Sequence, residues 1–249
     1  MKYLFVCVAL LLSGLSSAEN LRVIAEDDWF PYSAEIKGKP SGLSVDLVKA
    51  AYNAVGTPIN MITLPYARCM KLLEAGKEPV CFDTSKDSAT LPKYLFSDEP
   101  LYIARIAIYA KTGRFSAQNI GLSDLIGRKI GLTNGYTYGD AVEQSTSMLK
   151  DYSNSDLHSL RKLAIGRVDY VLAYDQVATY LINMHKEELA GKIKPVGLAL
   201  EVPIYVTFSA THLKGRFAKD MFDQGFALIK RNGTYSQIMQ KWQAATPTN

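Results

Sequence analysis

The sequence predicts an α/β protein made of two strand–helix units, and three observations carry that expectation. Short apolar strands alternate with amphipathic helices from residue 21 onward. The succession breaks at Lys111-Thr-Gly-Arg114, a second one begins, and an extended stretch at residues 203–209 reads as a return to the first unit. Two buried strands run into polar turns, at residues 129–140 and 167–176, and open α/β sheets take ligands at the carboxyl ends of their strands.

The first eighteen residues read as a secretory signal: Lys2, an apolar run at 3–12, and the small-residue ending Ser16-Ser17-Ala18. Their removal leaves a chain starting near Glu19, with roughly 230 residues, enough for one large core or two smaller ones. Cys7 lies inside the apolar run, so it is not read as a lipid-bearing cysteine. No later stretch approaches the ~20 apolar residues of a membrane span. The expected product is an exported protein in the periplasm. Lys and Arg number 28 against 24 Asp and Glu, a formal +4, with no basic run or aromatic-basic stripe, so nucleic acid is not an expected partner.

In order along the chain, residues 21–25 form a strand leading into Glu26-Asp-Asp-Trp-Phe-Pro-Tyr32, a turn dense in acids and aromatics. Core packing alone explains such a turn poorly. Trp29 and Tyr32 can offer flat faces to a ligand while Phe30 packs inward; the alternative is that all three anchor the loop. A helix over 43–55 carries the stripe Leu43, Leu47, Val48, Ala51 and Val55, with Gly56 placed to end it. A strand at 59–64 precedes a helix opened by Pro65-Tyr-Ala-Arg-Cys69 and stopped by Gly76. The strand at 80–82 delivers Asp83, Thr84 and Ser85 at its carboxyl end, and 103–110 is a β-rich stretch able to cross between units.

In the second unit the expected elements are a strand at 130–133, helices at 139–150 and 156–165, a strand at 168–173, and a helix at 176–184. Gly135, Tyr136 and Thr137 lie in a turn whose free backbone N–H groups at a helix start suit an anionic or strongly polar ligand. An ordinary turn with a capping Thr is the alternative. Asp175 ends the second buried strand after Tyr174. Residues 194–200 and 203–209 are extended, and two closing helices flank the turn at Asn232-Gly-Thr-Tyr235, with a frayed tail at 246–249. His158 and His185 sit on or beside helices with no partner cluster, which suits surface or packing roles, and no metal site is expected. Cys69 and Cys81, the cysteines left after processing, read as a disulfide rather than a metal site, with two buried thiols as the alternative.

Taken together, Trp29-Phe-Pro-Tyr32, Ser41-Gly-Leu-Ser-Val-Asp46, Phe96-Ser-Asp98, Gly135-Tyr-Thr137, Tyr174-Asp175 and the ending Asn232-Gly-Thr-Tyr with Lys241-Trp242 resemble the family 3 bacterial extracellular solute-binding proteins. The resemblance covers essentially the whole mature chain. It implies a periplasmic-binding-protein-like fold of type II, in which two α/β lobes are joined by two crossing strands around a ligand cleft. Lobe 1 would comprise residues 19–110 and 205–249, and lobe 2 residues 111–204. Carried over position by position, the resemblance makes Trp29 a stacking aromatic, Glu26 an acid of the same loop and Tyr66 a lining residue. It makes Thr137 part of the carboxylate-holding helix start and Asp175 the partner of the ligand ammonium. Thr90 stands where amino-acid binders carry an Arg for the α-carboxylate, and Asp83 where a Ser assists it. Arg68, a helical turn from Tyr66, could compensate; its alternative role is a surface cation pairing with Glu74 or Asp87.

The expected function is capture of a small polar solute, an amino acid or related compound, by hinge closure and its delivery to an ABC permease. The protein would act as a monomer without cofactor and without catalysis. The alternatives are an exported enzyme on the same fold, resembling cyclohexadienyl dehydratases, with Glu26 or Asp83 as a general acid, and a sensing partner of a membrane receptor.

Overall fold

The structure, a computed structural model, describes residues 20–114 and 119–245. The expected secretory signal at residues 1–18 and the expected frayed tail at 246–249 lie outside the described residues. No helix among the described residues is long and apolar enough to cross a membrane.

Strand β1 (Leu21–Glu26) leads into a small antiparallel sheet of β2 (Asp28–Trp29), β3 (Ser33–Ile36) and β4 (Lys39–Ser41). The acid-aromatic turn is therefore held by backbone pairing that its composition does not announce. Helix α1 (Leu43–Ala54) follows Gly42, where a Cβ would stand 2.1 Å from the Tyr32 carbonyl oxygen. Only glycine allows that approach, which lets the Leu43 and Ser44 N–H groups donate to the Pro31 and Tyr32 carbonyls. Next come β5 (Ile59–Leu64), α2 (Tyr66–Glu74), β6 (Val80–Ser85), β7 (Tyr94–Phe96) and the long β8 (Tyr102–Lys111).

Beyond β8 lie β9 (Lys129–Thr133), the one-turn α3 (Asp140–Glu143), β10 (Leu149–Ser153), α4 (Asp156–Ala164), β11 (Tyr170–Tyr174), α5 (Asp175–Met184) and the short α6 (Lys186–Leu189). The chain then runs back through β12 (Ile193–Ser209) and closes with α7 (Gly215–Arg231) and α8 (Thr234–Ala245). The two extended stretches expected at 194–200 and 203–209 are one strand, whose register against β8 shifts between Pro195 and Gly197 and again between Leu198 and Leu200.

The expected helix over 139–150 is not formed. After α3 the polar run Gln144-Ser-Thr-Ser breaks away, and Leu149 to Ser153 instead pairs in parallel with Lys129 to Thr133 as an edge strand. Ser and Thr in sequence compete with helical backbone bonding, and pairing with β9 satisfies the backbone of residues 149–153 instead. Ser155 then starts α4, accepting a hydrogen bond from the His158 N–H.

All these strands except the small sheet form one curled sheet in the order β10-β9-β11-β8-β12-β6-β1-β5, with β7 on β12. The antiparallel pair β8 and β12 is the seam: β11 pairs with residues 106–110 of β8 and β6 with residues 204–208 of β12. The protein is thus two α/β lobes joined by two crossing strands. Helices α1 and α7 cover one face of the first half, where Tyr52, Phe222 and Phe208 are fully buried. On the other face a separate apolar cluster lies under α2, built around Ile24, Met70, Leu73 and the Cys69–Cys81 disulfide. The closing helix is tied to α1 by Asp46, which accepts from Lys241 Nζ at 2.7 Å and Trp242 Nε1 at 2.9 Å.

Candidate functional site

Strands β1, β5 and β6 run parallel, as do β9, β10 and β11, so their carboxyl ends gather on the edge where the two lobes meet. From the first lobe come Glu26 at the end of β1, Trp29 of β2, Tyr66 at the start of α2, and Asp83 and Ser85 of β6. From the second come Tyr136 and Thr137 after β9 and Tyr174 at the end of β11. These residues line a small inner cavity of about 10 Å³, room for one water-sized group. A larger recess of about 630 Å³ lies outside it and shares Glu26, Tyr66 and Tyr136 as its floor.

The cavity walls are aromatic and meet edge to face. Trp29 and Tyr174 have ring centroids 4.8 Å apart at 88°, Tyr66 and Tyr136 5.7 Å apart at 84°, and Tyr136 and Tyr174 6.5 Å apart at 71°. Trp29 is 2% exposed, and its Nε1 has no hydrogen-bond partner among the described residues.

Asp83 is the most constrained residue of the site. Along β12, Tyr205 pairs with Thr84 and Val206 with Phe82, so Asp83 is an extra residue on β6, and its φ is +67°. A bulge of this kind turns a side chain out of the strand's alternation, and an Asp tolerates the left-handed region better than most residues. Its Oδ1 accepts from Tyr102 Oη at 2.9 Å and from Ser44 Oγ, while the buried Oδ2 has no partner among the described residues. Burial pushes its carboxyl up to about 7 against the pull of those two hydroxyls. Burial likewise raises Glu26 well above the usual carboxylate range, partly offset by the Tyr136 hydroxyl and reinforced by Asp83.

Direct bonds cross the cleft. Tyr136 Oη donates to Glu26 Oε1 at 2.5 Å, Ser85 and Thr137 share a hydrogen bond at 2.6 Å, and Ser88 Oγ donates to Asp140 Oδ1 at 2.7 Å. Gly135 faces Ala67 so closely that an added Cβ would lie 2.9 Å from the Ala67 Cβ.

Several residues expected at the site lie elsewhere. Tyr32 backs Trp29 at 4.5 Å and stacks on Tyr102 at 4.9 Å, behind the cavity wall. Thr84 is buried, bonded to Tyr66 Oη and Thr207 Oγ1 in the layer beneath. Thr90 stabilises a turn, its one hydroxyl proton shared between the Ser85 carbonyl and Asp87 Oδ1, and it lines neither space. Arg68 is exposed on α2 and lines neither space, because its position two residues beyond Tyr66 lies about 200° around the helix, on the face turned away from the cleft. Asp175 accepts from the Gln176 N–H at 2.7 Å and lies near Arg105 in a recess on the hinge side, with the Trp29–Tyr174 pair standing in the inner cavity instead.

The expected anion-holding helix start is also corrected. Helix α3 has a single turn, begins at Asp140, and its Glu143 accepts from the Tyr138 N–H at 3.0 Å. Asp140 and Glu143 already place negative charge in this turn, which disfavours an anion there.

Some residues of the site escaped the sequence reading. Ser44 and Tyr102 hold Asp83, and nothing in a helix first turn or a strand start marks them. Asp156, 4% exposed, lines the outer recess; Thr133 Oγ1 donates to its Oδ1 at 2.6 Å, and its Oδ2 has no partner among the described residues. Burial raises its carboxyl to about 6. Asp27, Asp28 and Glu35 line the same recess; the clustering of Asp27 and Asp28 beside Glu26 in the turn was the available signal, and Glu35 on β3 carried none.

A family model described as "Bacterial extracellular solute-binding proteins, family 3" matches residues 21–245. The arginine-binding periplasmic protein of Mannheimia haemolytica is 23% identical over 226 residues, 88% of this chain and 90% of that protein. Among solved structures, a histidine kinase sensor domain with similarity to periplasmic binding proteins superposes with a TM-score of 0.79 at 23% identity, covering 90% of this chain and 96% of that one. An ancestral arginine-binding protein bound to arginine gives 0.75 at 24% identity, covering 90% and 97%.

Proposed function

Because the chain belongs to the family 3 bacterial extracellular solute-binding proteins, we propose that it is a periplasmic receptor that closes around one small polar solute and delivers it to an ABC importer. The observation that carries this reading is the convergence of strand ends from both lobes on an aromatic, acidic cavity, with bonds that join the lobes across it. In this reading residues 1–18 are a cleaved export signal, residues 19–110 and 205–249 form lobe 1, and residues 111–204 form lobe 2. The receptor is a monomer that does no chemistry on its solute. Glu26, Trp29, Tyr66, Asp83, Tyr136 and Tyr174 contact the solute, and the lobes swing about the β8–β12 seam.

The named relatives support amine-bearing solutes, since the Mannheimia haemolytica protein and the ancestral protein are both described as arginine-binding. Mass spectrometry of small molecules released from the natively purified protein tests the reading, together with solution scattering before and after adding them back. A bound solute and a smaller radius of gyration on its return are expected. An unchanged scattering curve beside steady consumption of a metabolite would replace the receptor with an enzyme.

The sensor-domain likeness favours a second reading, in which the closed form docks on a membrane receptor kinase. Cross-linking in membranes separates the two by which protein is captured, a permease or a kinase.

A further inference from the structure

The cleft is acidic from mouth to floor. Asp27, Asp28, Glu35 and Asp156 line the outer recess, Glu26 stands where recess and inner cavity meet, and Asp83 lies in the inner cavity. Among the described residues no Lys or Arg lines either space. Two of these carboxylates, Asp83 and Asp156, are more than nine-tenths buried, each with one oxygen held by hydroxyls and the other without a partner among the described residues. A buried carboxylate oxygen left in this way is stabilised by an N–H donor that brings positive charge.

The means of holding a carboxylate are missing in the same place. Thr90 is committed to its turn, Arg68 is on the surface, and α3 carries Asp140 and Glu143 at its single turn. A carboxylate brought into this cleft would meet acidic groups and no cation in a desolvated space, an arrangement that costs binding energy. The aromatic walls act in the opposite sense, since the faces of Trp and Tyr attract ammonium and guanidinium groups. Size agrees as well: the inner cavity holds one group about as large as a water molecule, and the recess outside has room for the remainder of a longer molecule.

Building on the solute-binding reading, we propose that the solute is an elongated organic cation without a carboxylate, with an ammonium head beside Glu26 and Asp83 and its other end, an amine or a guanidine, in the acidic recess. The head donates to Asp83 Oδ2 and displaces or shares the Tyr136–Glu26 bond. The second end lies against Asp156 and the acids of the turn after β1.

Matched pairs that differ by one carboxylate test this: agmatine against arginine, and putrescine against ornithine, titrated by calorimetry into the mature full-length protein, with glutamine and succinate as neutral and anionic references. The carboxylate-free member of each pair is expected to bind at least about tenfold more tightly. Asp83→Asn and Glu26→Gln are each expected to weaken agmatine or putrescine binding by about tenfold or more, with an unchanged circular dichroism spectrum. Should Asp83→Asn not fold, Glu26→Gln carries the same expectation. Arginine or ornithine binding as tightly as its partner, or preference for a reference compound, overturns the proposal and leaves solute capture standing. Silence from the whole panel also overturns it, and the natively purified protein then decides the wider reading: a bound neutral or anionic metabolite keeps solute capture, and bare protein removes both.

Discussion

Asp83 concentrates the unfavourable features of the molecule in one side chain. A left-handed non-glycine backbone costs of order 1 kcal/mol, and a buried, half-paired carboxylate adds to it. The pH dependence follows from its carboxyl, raised to about 7 from an ordinary 3.8 by burial while Ser44 and Tyr102 oppose the shift. The folded protein binds this proton more tightly than the unfolded chain does, so the associated stability is full below about pH 4 and is lost as pH rises through about 7. Asp156, raised to about 6 by burial and by Asp28, acts in the same direction. Thermal scans without added ligand should show the melting temperature falling over that interval, and Asp83→Asn should flatten the fall; a melting temperature that rises instead contradicts the assignment. Cation affinity runs the other way, increasing as pH rises and the acid ionises. Trp29→Ala should abolish ligand-induced thermal stabilisation, and a wild-type shift would remove this ring from the contact surface. At this scale the sequence was informative where a residue ends a strand or crowds a turn, as with Glu26, Trp29 and Asp83. It was silent where a partner arrives from far along the chain, as Tyr102 and Ser44 reach Asp83, and it misled where spacing ignored direction, as with Arg68 and Thr90.

Among the elements, β6 and α2 form the unit that presents the first-lobe half of the site, and the Cys69–Cys81 disulfide joins them across a sequence separation of 12. Closing so short a loop is worth about 3 kcal/mol in the chain-entropy account. Cys69→Ser with Cys81→Ser should therefore lower stability by about that amount in denaturant titrations. Because Tyr66 sits at the start of the tethered helix, ligand affinity should fall as well, and an unchanged midpoint would show that the bridge constrains little. Most elements could be read from apolar periodicity: β5 matches the expected strand residue for residue, and α1 ends within a residue of expectation. The failures have a common cause. The small sheet of β2, β3 and β4 is held by pairing between strands of two to four residues, the edge strand β10 by pairing with β9, and none of them carries the alternating apolar pattern that a buried face imposes.

For the whole molecule, the seam of β8 and β12 is the only pair of strands among those described that serves both halves of the large sheet, so relative movement of the lobes bends these two. Gly135 against Ala67 sets how far they can close. Gly135→Ala should hold the lobes apart, seen as a larger radius of gyration by solution scattering at saturating ligand. Adding Ala67→Gly should restore compaction by removing the contact while leaving the backbone strain at φ +83° in place. Failure of the double variant to recover would trace the effect to strain.

The bonds from Tyr136 to Glu26, from Thr137 to Ser85 and from Ser88 to Asp140 run from protein to protein. In the proposed hinge motion these bonds give the shut posture a footing of its own, independent of cargo, so a fraction of molecules should take it spontaneously. A membrane component that reads outline alone would then register a background of false arrivals, and the cargo itself must compete with Tyr136 for Glu26, weakening its apparent grip in proportion.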